Sequence, residues 1–118
     1  MNYVFCTEES VILRVISGIA KGHKLKTLKG NNTRPTSDKV KGSLFNILAG
    51  AMEGADVLDL FAGTGNLGIE ALSRGANSAT FIDKSSDCAA IIRENLIHTK
   101  LVDLATVLTG DIFRMMSK

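Results

Sequence analysis

The run Asp59-Leu-Phe-Ala-Gly63-Thr-Gly65-Asn-Leu-Gly68 sets a carboxylate and three glycines within reach of one ligand. Val57 to Phe61 reads as a short apolar strand, and Asn66 to Arg74 as a helix stopped by Gly75. A glycine turn between strand and helix lets the backbone approach a ligand closely and aims helix N–H groups at it. Taken alone, the glycines fit the G-x-G-x-x-G of dinucleotide-binding folds, which is a weak pattern. Asp59 helps to choose between ligands. A carboxylate at the turn repels a pyrophosphate and attracts an ammonium and a sulfonium, the two cationic groups of S-adenosylmethionine. The bland alternative is a glycine turn needed only for close packing.

Two more acids stand at strand ends. Asp83 closes the apolar strand Ala79-Thr-Phe-Ile, where an acid accepts both ribose hydroxyls of an adenosine, whether the cofactor is a nicotinamide or an adenosylmethionine. Asp111 follows the strand Ala105-Thr-Val-Leu-Thr, where its side chain accepts from an adenine amine. Each has a structural alternative as a helix cap. Three acids on the carboxyl edge of one sheet are more specific than any single one, since ligands bind at that edge in open α/β sheets.

The elements that must position them alternate. Ser85 or Ser86 caps a helix carrying Ala89, Ile91, Ile92 and Leu96 inward, and Ile112 begins another helix. Strands separated by helices of this length imply βαβ crossovers, a parallel sheet and an α/β fold. Ahead of them, Val11 to Ile16 and Lys24 to Lys29 read as two strands joined by a glycine-containing turn. The polar loop Asn31 to Thr36 contains the only proline, Pro35. Thr36, Ser37 or Asp38 caps a helix whose stripe of Val40, Leu44, Phe45, Ile47, Leu48 and Met52 reads as core.

The chain has 118 residues, room for one domain, with a net charge of +2. Its distribution is uneven. Arg14 to Lys41 holds eight Lys or Arg against the single acid Asp38, whereas Gly42 onward holds six basic and nine acidic residues. The basic segment is either a solvated face or a footprint for a polyanion such as RNA. No apolar run reaches the ~20 residues of a membrane span. Met1 to Ser10 lacks the pattern of an export signal. Cys6 and Cys88 lack metal or redox spacing, and Cys88 falls on a buried helix face. These features suit a reducing cytoplasm.

With these residues in hand, the chain resembles the RsmD-like family of bacterial methyltransferases, which modify the exocyclic amine of a guanine in small-subunit ribosomal RNA. The resemblance rests on Arg14-Val-Ile-Ser-Gly, Lys21-Gly-His-Lys-Leu, Thr33-Arg-Pro-Thr, Lys39-Val-Lys-Gly-Ser-Leu-Phe-Asn-Ile-Leu, the strand and glycine turn from Val57 to Gly65, and Gly68-Ile-Glu-Ala-Leu-Ser-Arg-Gly-Ala. It covers roughly residues 13 to 118. It implies a Rossmann-like methyltransferase fold that binds S-adenosylmethionine, with a small basic hairpin and helix over 13–54 and the first half of the methyltransferase domain over 55–118. It further implies that Asp59, Gly63, Gly65 and Asn66 surround the methionine part of the cofactor, with Phe61 and Thr64 in the same turn. Asp83 would hold the ribose and Asp111 the adenine. Arg34 and Thr36 would close over the cofactor, and Lys21, Lys24, Lys26 and Arg34 would meet RNA. The partner implied is small-subunit ribosomal RNA or an assembling subunit, met by a cytoplasmic monomer without metal or membrane.

Departures from the family pattern set further expectations. Its fourth strand ends in an Asn or Asp, two prolines and an aromatic residue, which hold and stack the target base. Since Pro35 is the only proline, that motif lies outside these 118 residues. No catalytic residue is therefore expected within the chain, which as given binds cofactor weakly at best and transfers no methyl group. With half the sheet missing, the strand at Val57 is expected to show an open apolar edge. Twelve residues precede Leu13, a residue that a UUG start codon could encode. Met1 to Ile12 is read either as an upstream stretch included by a misplaced start or as a disordered extension. Two rival readings remain: a fragment that binds cofactor or RNA without turnover, and a nicotinamide-dependent oxidoreductase, against which Asp59 argues.

Overall fold

The structure, a computed structural model, describes residues 3–6, 15–26, 38–48, 50–60, 62, 65–111 and 114, with the backbone alone for 3–6 and 38–40. In chain order the elements are β1 (Tyr3–Cys6), α1 (Asp38–Ile47), β2 (Asp56–Leu60), α2 (Asn66–Ser73), β3 (Ser78–Asp83), α3 (Ser86–His98), a short 3-10 turn (Val102–Leu104) and β4 (Ala105–Thr109). The strands form one sheet in the order β1-β2-β3-β4, every pair parallel. Consecutive parallel neighbours joined through α2 and α3 are the βαβ units expected from the alternation of strands and helices.

Alternation along the strands divides the sheet into two faces. Val57 and Phe81 are fully buried, and Ala79 nearly so, on the face that α2 and α3 cover, where Ile69, Leu72, Ile92 and Leu96 complete the main core. Leu60 and Ile82, with Leu58 against them, form a smaller cluster on the other face. Ser85 caps α3 by accepting from the Cys88 amide at 3.3 Å. Cys88 is buried, as its place on the helix suggested.

Two expectations are corrected. The edge of β2 is not open, because Tyr3 to Cys6 pair with Val57 to Leu60 along its length. An unpaired strand edge is a row of unsatisfied donors and acceptors, and β-forming residues such as Tyr-Val-Phe satisfy it. Part of the segment expected to be an extension is therefore a strand of the sheet. Of the basic hairpin the turn is described, and Lys24 beyond it makes a β-bridge. Val15 N donates to His23 O at 2.9 Å and Gly22 N donates to Val15 O at 2.9 Å, while Val11 to Arg14 and residues 27–30 lie outside the described residues. The buried face of α1 is rotated from the expected stripe. Phe45 and Met52 of that stripe are buried, but Ile47 is 81% exposed and Lys41, outside the stripe, is buried.

Candidate cofactor site

The site begins where β2 ends. Ala62 N donates to Ile82 O at 3.1 Å, which ties the start of the turn to β3, and Gly65 N donates to Ala62 O at 2.8 Å. Gly65 has φ +82, in the left-handed region that side chains disfavour, and it is the residue from which α2 departs. Gly68 serves a different end. A Cβ there would lie 2.3 Å from Phe81 Cε1, so its absence lets the first turn of α2 press directly onto β3.

That close approach brings the Gly68 amide over Asp59. Asp59 is completely buried, and its Oδ2 accepts from Gly68 N at 3.1 Å. Its Oδ1 is buried and has no hydrogen-bond partner among the described residues. Burial pushes its pKa up to about 8; the Gly68 N–H opposes that shift, and the negative charge of Asp83 adds to it. At neutral pH the carboxyl therefore keeps its proton, which differs from the ionised group assumed in weighing ammonium against pyrophosphate. An orphaned buried oxygen under a helix N-terminus nevertheless fits a ligand that brings donors or positive charge to it.

Asp83 is the last residue of β3, half-buried, and its Oδ1 accepts from Ser85 N at 2.9 Å. Gly110 N donates to Asp83 O at 3.1 Å, which draws the end of β4 alongside. Asp111 is exposed there, and its Oδ1 accepts from Arg114 N at 3.2 Å, the capping contact weighed as its alternative role. The structure thus brings Asp59, Asp83, Asp111 and Gly65 to one edge. Arg34, Thr36, Phe61, Gly63 and Thr64 lie outside the described residues.

Asn66 is held differently from the expectation. It is 2% exposed, and its Oδ1 accepts from Lys41 Nζ at 2.8 Å. Lys41 Nζ also sits 2.9 Å from Glu70 Oε1, both side chains being fully buried. Glu70 accepts from Ile16 N at 2.9 Å, Ser17 N at 3.1 Å and Arg74 Nε at 2.7 Å. The Arg74 guanidinium lies 4.9 Å from the Phe45 ring centroid, a cation–π distance. Burial would raise the Glu70 pKa, but the Ile16 amide, the Lys41 charge and hydrogen bonds from Arg74 and Lys41 outweigh it and hold the pKa below the usual range. This network was missed in the sequence. A signal existed, since Lys41 stands at helical spacing from the apolar Phe45 and Leu48.

The basic turn is pinned at the far ends of the helices. Ile19 N donates to Ser73 O at 2.8 Å and Ala20 N to Ser73 Oγ at 2.9 Å, at the C-terminal end of α2. Lys26 N donates to Asn95 Oδ1 at 2.7 Å near the end of α3. Lys21, Lys24 and Lys26 are exposed, with Lys26 Nζ 3.2 Å from Glu94 Oε2. The turn therefore sits at the amino edge of the sheet, opposite the glycine turn.

The family described as Conserved hypothetical protein 95 matches residues 13–118. Ribosomal RNA small subunit methyltransferase D of Haemophilus influenzae is 43% identical over 84 residues, which are 71% of this chain and 44% of that protein. YlbH of Bacillus subtilis (strain 168) is 46% identical over 99 residues, 84% of this chain and 54% of its own length. The chain belongs to the RsmD-like family. Its fold is the Rossmann-like methyltransferase fold. The solved structure of Escherichia coli yhhF superposes with a TM-score of 0.79 at 35% identity, over 90% of this chain and 56% of that one. A solved protein of Thermus thermophilus gives a TM-score of 0.77 at 29% identity, over 90% and 60%. The chain spans about half the length of the RsmD-like relatives it matches. Among the described residues no helix is long and apolar enough to cross a membrane. No group of three or more His, Cys, Asp or Glu there could hold a metal ion.

Proposed function

We propose that this chain is the cofactor-binding part of an S-adenosylmethionine-dependent enzyme that methylates a guanine amine in small-subunit ribosomal RNA. The observation that carries the reading is Asp59 Oδ1, without a partner among the described residues and buried under the left-handed Gly65 turn in a chain of the RsmD-like family. Asp59 and the Gly65 turn would face the methionine part of the cofactor, with Asp83 at the ribose and Asp111 at the adenine. When bound, the cofactor supplies an electrophilic methyl group. This chain's residues bind and orient it. Asn66 contributes through the backbone of the turn, because its side chain is engaged by Lys41. Exposed Lys21 and Lys24 would meet RNA phosphates, which position a substrate without choosing its sequence.

Comparison of S-adenosylhomocysteine with NAD by calorimetry tests the reading. The first is expected to bind and the second not. Binding of NAD alone would favour the oxidoreductase reading, and binding of neither would remove the cofactor site.

A further inference from the structure

The basic turn and the last turn of α3 enclose a groove of about 560 Å³, lined by Lys24, Leu25, Lys26, Asn95, Ile97 and His98 among others. Buried Leu25 and 64%-exposed Ile97 give it an apolar wall. A second, shallower depression continues it past Lys21, His23 and Lys24. The His23 and His98 rings meet edge to face there, with centroids 5.2 Å apart. Among the described residues the one carboxylate on the wall, Glu94, is paired with Lys26, so Lys21 and Lys24 leave the rim positive.

An apolar wall, two imidazole rings and a cationic rim match one kind of occupant. Unstacked nucleobases lie on apolar or aromatic surfaces, histidine included, while their phosphates meet lysines. A volume of several hundred Å³ is that of a small-molecule pocket and accommodates a nucleotide. A membrane surface would instead want a broad exposed apolar face ringed by cations, and here a single exposed apolar side chain, Ile97, stands on the described wall beside buried Leu25.

We infer that this groove is an RNA anchor, taking one unstacked base and its flanking phosphates from single-stranded substrate. The inference rests on the reading of the chain as part of an RNA methyltransferase and adds where on it the RNA is gripped. The 13 residues of α3 run from the cofactor edge to the groove, so the anchor lies about 20 Å from the site of chemistry. The base held in the groove is therefore not the one methylated, and the anchor sets the register of the strand rather than presenting the target.

The test is fluorescence anisotropy of the 118-residue chain with a labelled single-stranded RNA dodecamer, across a potassium chloride series. Ile97→Asp and His98→Ala alter exposed residues outside the basic turn, and Lys24→Glu alters the rim. Ile97→Asp is expected to weaken binding about tenfold, and His98→Ala less. Lys24→Glu should weaken it and lower the salt slope by about one. S-adenosylhomocysteine binding should stay unchanged in all three. If Ile97→Asp binds RNA as tightly as the parent chain while Lys24→Glu weakens it, the groove is overturned and only a phosphate patch remains. A parent chain that binds polyphosphate of equal charge as well as RNA overturns it too. Failure of the parent to bind RNA at all overturns the anchor, whereas intact S-adenosylhomocysteine binding would then preserve the cofactor reading.

Discussion

Replacing Lys41 with Met keeps most of the side-chain volume and removes the charge. Glu70 would stay fully buried with one carboxylate oxygen short of its 2.9 Å partner, and Asn66 Oδ1 would lose its donor. Breaking a buried ion pair by removing one partner costs about 3–5 kcal/mol, because the remaining charge is uncompensated. Here Arg74 and the Ile16 and Ser17 amides still meet Glu70, which places the loss near the lower figure, about 3 kcal/mol. Against a total of about 6–15 kcal/mol for a domain of this size, that is a large fraction. Urea unfolding followed by circular dichroism reads it directly. With a slope of roughly 1–3 kcal/mol per molar, the midpoint should fall by about 1–3 M, while the exposed Lys84→Met should move it little. Adding Glu70→Gln to Lys41→Met should recover part of the loss, since an amide leaves no bare charge. The reasoning would be refuted by a midpoint for Lys41→Met that matches the parent, or by a double variant whose loss is the plain sum of the singles.

Three other outcomes follow from the same geometry. Asp59 keeps its proton to about pH 8 when folded but ionises near 3.8 when unfolded, so the unfolded state is favoured as pH rises through that window. Asp59→Asn should flatten the fall in stability between about pH 4 and 8, a difference of a few kcal/mol at ~1.4 per unit; chemical denaturation at both pH values checks it. If an ammonium of the cofactor meets Asp59, S-adenosylhomocysteine binding at pH 7 should release up to about one proton. Calorimetry in two buffers of different ionisation enthalpy would show this, and an identical heat in both would remove the contact. Deleting residues 1–12 uncovers the edge of β2 and should promote concentration-dependent self-association in gel filtration, whereas an elution unchanged from the parent would mean that β1 contributes little.

The parallel sheet and its crossovers were legible because strands and helices alternate with clear periodicity, and the glycine turn because Gly65 and Gly68 answer local geometric needs. The acids at the carboxyl edge were placed correctly as positions, since strand ends can be read from the chain. Their environments could not be. Whether Asp59 faces solvent or lies under α2 depends on how closely Gly68 lets the helix approach Phe81, which is a tertiary fact. The Lys41–Glu70 pair joins residues 29 positions apart, and a lysine in a helix reads as exposed unless its burial is already known. The pairing of β1 joins residues more than 50 apart, and only the unmet hydrogen bonds of the β2 edge hint at it.

Helix α2 couples the two regions proposed here for cofactor and RNA. Its first residue, Asn66, carries the glycine turn and is gripped by Lys41; its middle, Glu70, receives the backbone of Ile16 and Ser17; its last, Ser73, receives Ile19 and Ala20. The basic turn is thus fastened to the same short rod that shapes the cofactor edge. Damage to the rod should therefore differ in kind from damage to the groove. Glu70→Gln, which loosens the clasp on Ile16 and Ser17, should weaken RNA and S-adenosylhomocysteine binding together, whereas Ile97→Asp at the far end of α3 should weaken RNA alone. Isothermal titration of both ligands against both variants separates the cases. Equal effects of Glu70→Gln and Ile97→Asp on S-adenosylhomocysteine would mean that the two regions communicate through the whole core rather than through α2.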